Sequence, residues 1–179
     1  MNFIYVFRTK NIMNHYIFLI DNSYSMNTYL YSICNIVNKF IQNLRHDTSQ
    51  ESFISIAYFS SSIDWLLKTQ NTKLNIPQLS SSDFKKGTMT ALYDSVSQVI
   101  LEFGITPEIK TYFYIITDGD DNDSVEYNKE YADNICKEAI KNGGWKIKHF
   151  DTQDYSTLDV PKVQIDINDL SCLLENLTV

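Results

Sequence analysis

The 179 residues are 44% hydrophobic and 21% charged, a globular composition in a chain long enough for one domain that buries roughly 70% of its unfolded surface. The formal net charge of −7 and the lack of a basic cluster argue against a nucleic-acid footprint. No apolar run approaches the length of about 18 residues that a membrane span needs. Cys34, Cys136 and Cys172 are odd in number, far apart and without metal-ligand spacing, so they read as reduced, mostly buried thiols of an intracellular protein. Residues 1–7 are apolar but too short for a signal-peptide core and lack a small-residue cleavage site, so a soluble, non-secreted chain is expected.

Residues 3–7 read as an added edge strand and 8–14 as a polar linker. Met13, just before the first core strand, is a candidate translation start. Residues 1–13 are therefore expected to be an N-terminal extension and 14–179 the domain. Residues 16–20, Tyr-Ile-Phe-Leu-Ile, form a continuous aromatic and β-branched run, which predicts a strand buried on both faces. Apolar residues then recur at three- and four-residue intervals from Leu30 to Leu44, predicting an amphipathic helix. Strands are predicted at 53–59 and 63–67, paired as a hairpin across Ser60-Ser61-Ser62. Residues 69–84 read as a surface loop with one short helix. A helix over 91–103 is ended by Gly104 and Pro107, and 111–117 is a strongly apolar strand. The remaining expectations are a helix over 126–141 stopped by Asn142-Gly143-Gly144, strands at 145–150 and 163–165, and a closing helix over 169–177. Strands and helices alternate nearly throughout, which argues for an α/β fold with a mostly parallel sheet covered on both faces.

At the carboxyl end of the first strand stand Asp21, Ser23 and Ser25, where open α/β sheets bind ligands. One carboxylate and two hydroxyls, with no His or Cys, suit a hard cation such as Mg²⁺, Mn²⁺ or Ca²⁺. The same residue types would also build an Asx turn and a helix N-cap.

Two later stretches bear on that choice. Asp21-Asn22-Ser23-Tyr24-Ser25-Met26 after an apolar strand resembles the first motif of the von Willebrand factor type A domain, which opens its metal ion-dependent adhesion site. Gly87-Thr88-Met89-Thr90-Ala91-Leu92-Tyr93-Asp94 is similar to the second motif, and Thr117-Asp118-Gly119 after an apolar strand to the third. Thr-Asp-Gly-x-x-Asn-x-Ser from Thr117, with Gly144-Trp145 further on, is closest to bacterial, phage and large-virus members. The resemblance covers about residues 14–150. It implies a three-layer αβα, Rossmann-like doubly wound sheet, mostly parallel with one antiparallel edge strand. It further implies that Ser23, Ser25 and a threonine bind the metal through their hydroxyls. Asp21 and Asp118 would hold metal-bound waters and orient the serines. Thr90 directly precedes Ala-Leu-Tyr-Asp and is the favoured threonine, with Thr88 as the alternative; either would also serve to cap the next helix. The implied action is metal-bridged binding of a partner protein's Asp or Glu by a monomer, without catalysis.

Asp120, Asp121 and Asp123 do not follow the EF-hand order of ligands and glycine. They read as a solvated helix N-terminus, where anions offset the dipole, and no metal role falls to them. His15, His46 and His149 lack neighbours at ligand spacing and read as structural. A phosphatase-like fold with Asp21 as nucleophile would want a second Asp where Ser23 stands. A nucleotide-binding Rossmann turn would want glycines that residues 21–25 lack. A degenerate domain that binds partners without metal is the remaining alternative.

Overall fold

The computed structural model describes residues 13–46, 51–151, 158–164 and 177. The strand expected at 3–7, the closing helix over 169–177 except for residue 177 itself, residue 165 and Cys172 lie outside them.

The elements are β1 (Met13–Asp21), α1 (Leu30–His46), β2 (Ser52–Phe59), β3 (Ile63–Asn71), α2 (Leu92–Phe103), β4 (Ile109–Thr117), α3 (Lys129–Gly143), β5 (Lys146–Asp151) and β6 (Lys162–Gln164). They form one six-stranded sheet in the order β3-β2-β1-β4-β5-β6. Every neighbouring pair is parallel except β2 and β3, so the antiparallel pair lies at an edge.

Alternation along β1 shows why its apolar run is continuous. Tyr16, Phe18 and Ile20 pack on one face with α1 residues Ile33, Val37, Phe40 and Ile41. Ile17 and Leu19 pack on the other with Val96, Val99 and Ile100 of α2 and Ala132, Cys136 and Ala139 of α3. Each face of the strand therefore meets a separate hydrophobic core, which is the three-layer αβα arrangement. Cys34 and Cys136 are buried, and burial pushes both thiols up, to about 11 and about 12. They are inert packing residues rather than ligands. Among the described residues no helix is long and apolar enough to cross a membrane.

Several boundaries differ from those read in the sequence. Met13 and Asn14, taken as linker, belong to β1, because the backbone N–H of Asn14 still finds the carbonyl of Glu51 at 3.1 Å. β3 continues to Asn71 through residues with polar side chains, its backbone pairing with β2 across an irregularity near Ile56. Thr69 there has φ of +50°, and its N–H is held by Ser55 Oγ at 2.9 Å. α3 starts at Lys129 instead of 126, with Asn128 capping it by accepting from the N–H of Tyr131 at 2.9 Å. It closes on Gly144 in the left-handed conformation, φ +66°, as the Asn142-Gly143-Gly144 run suggested. His46 ends α1 rather than sitting in a turn.

β1 leads through α1 to β2 on one side, and its other neighbour β4 leads through α3 to β5 on the opposite side. The connections thus leave the β1–β4 junction in opposite directions. That switch point opens a crevice at the strands' carboxyl ends, and pairing Ile20 with Ile116 sets Asp21 beside Thr117 there.

Candidate metal centre

Three segments meet at this crevice. The first is the end of β1. The N–H of Asn22 donates to the carbonyl of Phe59 at 2.8 Å, prolonging the pairing with β2 by one residue. The chain then turns through a short 3-10 segment, Tyr24–Thr28. Met26, 1% exposed, plugs this turn into the core. With Met26 pointing inward, Ser25 faces outward and Ser23, buried, faces the cleft beside it.

Asp21 is wholly buried. Its Oδ1 accepts from the N–H of Ser23 at 2.7 Å, and its Oδ2 accepts from the hydroxyl of Thr117 at 2.6 Å. The first of these is the bond of the Asx turn that Asp, Asn and Ser here also build. Both carboxylate oxygens are thereby engaged, so Asp21 supports the serine turn from behind instead of lining the cleft. Burial pushes its carboxyl up from the usual 3.8 to about 6, and nearby Asp118 adds to the effect. A raised carboxyl is what desolvation dictates.

Ser23 heads the 3-10 turn but makes no side-chain cap bond, so its hydroxyl is not consumed as a cap. Ser23 Oγ lies 3.2 Å from Ser25 Oγ, and the Ser25 hydroxyl donates to Asp118 Oδ1 at 2.9 Å. Asp118 follows β4 and is nearly buried; desolvation raises its carboxyl above the ordinary range, against the Ser25 bond that lowers it.

The third segment carries Thr88 and Thr90. Gly87 crosses directly above the end of β1, its N–H donating to the carbonyl of Asn22 at 3.2 Å. A Cβ built there would lie 2.3 Å from Ser60 Cβ and 2.8 Å from Asn22 O, so only glycine fits so close an approach. Thr90 is then clamped to the Asp118 loop. Its N–H donates to Asn122 Oδ1 at 2.9 Å, while its carbonyl accepts from the N–H groups of Asn122 at 2.9 Å and Asp123 at 3.2 Å.

Neither threonine caps α2. Ala91 holds the cap position without a side-chain bond, and the Asp118 loop supplies the caps instead. Asp121 Oδ1 accepts from the N–H of Tyr93 at 3.2 Å, and Ser124 Oγ from that of Asp94 at 3.0 Å. Asp94 reciprocates, accepting from the N–H groups of Val125 at 2.8 Å and Tyr127 at 2.6 Å. The acidic loop therefore serves the N-terminus of α2, a different helix from the one its sequence position suggests. Anions there also complement the helix dipole.

Ser23, Ser25, Thr88, Thr90 and Asp118 line one open cleft of about 450 Å³, together with Tyr24, Asp120 and Asn122. The structure brings all the expected residues to this place, with Asp21 behind the wall. Sequence reasoning passed over Thr117 and Asn122. Both lie inside the third motif, so the signal was present, but their bonds to Asp21 and Thr90 are long-range and have no local signature. Among the described residues no three His, Cys, Asp or Glu side chains converge as metal ligands. His15 and His149 are buried and pushed down to about 4 by desolvation, and His15 Nε2 is hydrogen-bonded to Ser55 Oγ at 2.8 Å. The donor set at the cleft is hydroxyls backed by two carboxylates, which fits a hard divalent cation rather than a soft one.

No family model matches the chain, and no curated protein matches it. Solved structures do. The ArnB paralog VWA2 from Sulfolobus acidocaldarius is 24% identical with a TM-score of 0.53 over 79% of this chain and 34% of that one. A von Willebrand factor type A protein from Catenulispora acidiphila is 13% identical with a TM-score of 0.61, over 92% and 41% respectively. Proximal thread matrix protein 1 from the mussel byssus, solved with a zinc-occupied MIDAS motif, is 16% identical with a TM-score of 0.62, over 93% and 47%. The chain spans less than half the length of each of these three. At such identities the likeness is one of fold, and the chain has the von Willebrand factor type A fold.

Proposed function

We propose that this von Willebrand factor type A fold serves as a metal-dependent, intracellular protein-binding module and not as an enzyme. The observation that carries the proposal is the linked row of oxygens at the cleft. Ser23 Oγ, Ser25 Oγ and Asp118 Oδ1 stand at successive distances of 3.2 and 2.9 Å, and Thr90 lines the same cleft. Ser23, Ser25 and Thr90 (or Thr88 in its place) would hold Mg²⁺, or Mn²⁺ or Ca²⁺, through their hydroxyls. Asp118 and the buried Asp21 would orient the serines and balance charge behind them.

Neutral hydroxyls as direct ligands leave a cation with much of its positive charge. When bound, it supplies a position open to an outside carboxylate, which a partner protein's Asp or Glu would fill. The Ser25 hydroxyl donates to the Asp118 carboxylate at 2.9 Å, but in this reading both groups serve the cation, and bridging is the action proposed for them.

Calorimetric titration of Mg²⁺ and Mn²⁺ into metal-stripped protein tests the site. Saturable 1:1 binding that is lost in both Asp21→Ala and Asp118→Ala is expected. Absence of binding in the unmodified protein would point instead to a metal-independent scaffold.

A further inference from the structure

The cation cleft is not symmetric. On one wall the loop after β4 presents Asp118 and Asp120, with Asp121 and Asp123 following in the same loop. On the other side a second groove, of about 710 Å³, adjoins the cleft and shares Tyr24 and Ser25 with it. No Asp or Glu lines this groove, in a chain of net charge −7; its one ionic side chain is Lys86. Neighbouring Lys85 pairs with Asp64 at 3.6 Å, whereas Lys86 is exposed and has no ion-pair partner among the described residues.

The groove also has an apolar floor. Leu30 and Phe84 line it and are buried, and Phe84 is braced against Tyr58 with ring centroids 5.2 Å apart. Tyr24 stands between the two cleft serines and is 77% exposed. An exposed tyrosine beside a braced apolar floor and an unpaired ammonium makes a surface typical of interaction hot spots.

We infer that the partner is an acidic segment that leaves the cation cleft in one direction, into this groove. It carries an apolar residue over Leu30, Phe84 and Tyr24 and a second carboxylate at Lys86. Charge complementarity sets the direction, because the same segment turned the other way would meet the exposed Asp120 carboxylate on the opposite wall. The inference rests on the reading that the cleft takes a carboxylate, and it adds which residues must flank that carboxylate.

Labelled peptides with one central Glu, flanked by Gly alone or by Phe and a second Glu scanned along either side, would be titrated in Mg²⁺ by fluorescence anisotropy. Expected is a gain of about tenfold over the Gly-flanked peptide, the scale of about 1.4 kcal/mol, when Phe and the second Glu lie on the same side. Ser82→Trp, which fills the groove from its rim, and Lys86→Glu should each erase that gain while 1:1 cation binding persists. A gain that survives both variants, or tightest binding by peptides with Lys or Arg flanks, would overturn the inference alone. If the cation binds 1:1 but no Glu peptide binds in Mg²⁺, the carboxylate reading falls and takes this inference with it.

Discussion

Asp21→Asn separates the burden of the buried carboxylate from its use. In the folded chain burial raises the Asp21 carboxyl from 3.8 to about 6. A group raised in this way lends stability that is fully present below pH 3.8 and lost as pH climbs through about 6. At pH 7 the ionised side chain therefore burdens the metal-free fold by about 3 kcal/mol relative to its neutral form. Asn is a permanent neutral mimic. Its Oδ1 can keep the Ser23 N–H, and its amide can donate to the Thr117 hydroxyl, which has the Gly119 carbonyl 3.4 Å away as another acceptor. Allowing for imperfect geometry, about 2 kcal/mol of stabilisation is expected in chelator at pH 7, or about 4–8 °C in melting temperature for a chain of this size. The order should reverse with Mg²⁺. At a hundred times its dissociation constant the cation adds about 2.7 kcal/mol to the unmodified protein and nothing to the variant. Urea and thermal unfolding in chelator and in Mg²⁺ measure both arms. A variant less stable than the parent in chelator would refute the account of Asp21 as a strained buried charge. A variant that gains as much from Mg²⁺ would refute its part in the site.

Three further outcomes are expected. Gly87→Ala sets a Cβ 2.3 Å from Ser60 Cβ. Displacement of the crossing should lower stability by about 2 kcal/mol and weaken the cation with it; unchanged melting and titration curves would show that the loop accommodates the methyl. Asn122→Ala removes the acceptor for the Thr90 N–H, so cation affinity should fall about tenfold, and an unaltered affinity would mean that Thr90 is not a ligand. His15 and His149 titrate near 4 in the fold against 6.5 outside it. Unfolded chains then take up protons first, and stability is lost as pH falls from 6.5 through 4, by about 3 kcal/mol per histidine. Asp21 opposes this by about 3 kcal/mol between pH 6 and 3.8, so urea midpoints should still drop between pH 7 and pH 4, and a flat profile would contradict the burial of the two imidazoles.

The chain was most legible where a residue's role depends on its near neighbours. The five residues 16–20 read as a strand covered on both faces because nothing polar interrupts them, and the two cores on either side of β1 bear this out. The period of α1 and the hairpin of β2 with β3 were equally plain, since each is set by contacts within one helix face or across one turn. The start of α3 was not. Residues 120–126 look like the opening turn of a helix, yet Asp121 and Ser124 are committed to α2, and the cap of α3 is Asn128.

The sequence by itself determined which oxygens could meet: Asp21, Ser23 and Ser25 at alternate positions after an apolar strand, and Asp118 after another. Tertiary structure alone decided what each carboxylate does. Thr117 is 96 residues from Asp21 and Ser25 is 93 from Asp118, and parallel pairing of β1 with β4 closes those distances to 2.6 and 2.9 Å. Asp21 became a buried support rather than a wall of the cleft because Thr117, across the sheet, took one of its oxygens while the local turn to Ser23 took the other. A partner such as Thr117 is chosen by strand order, which no local pattern of side chains encodes.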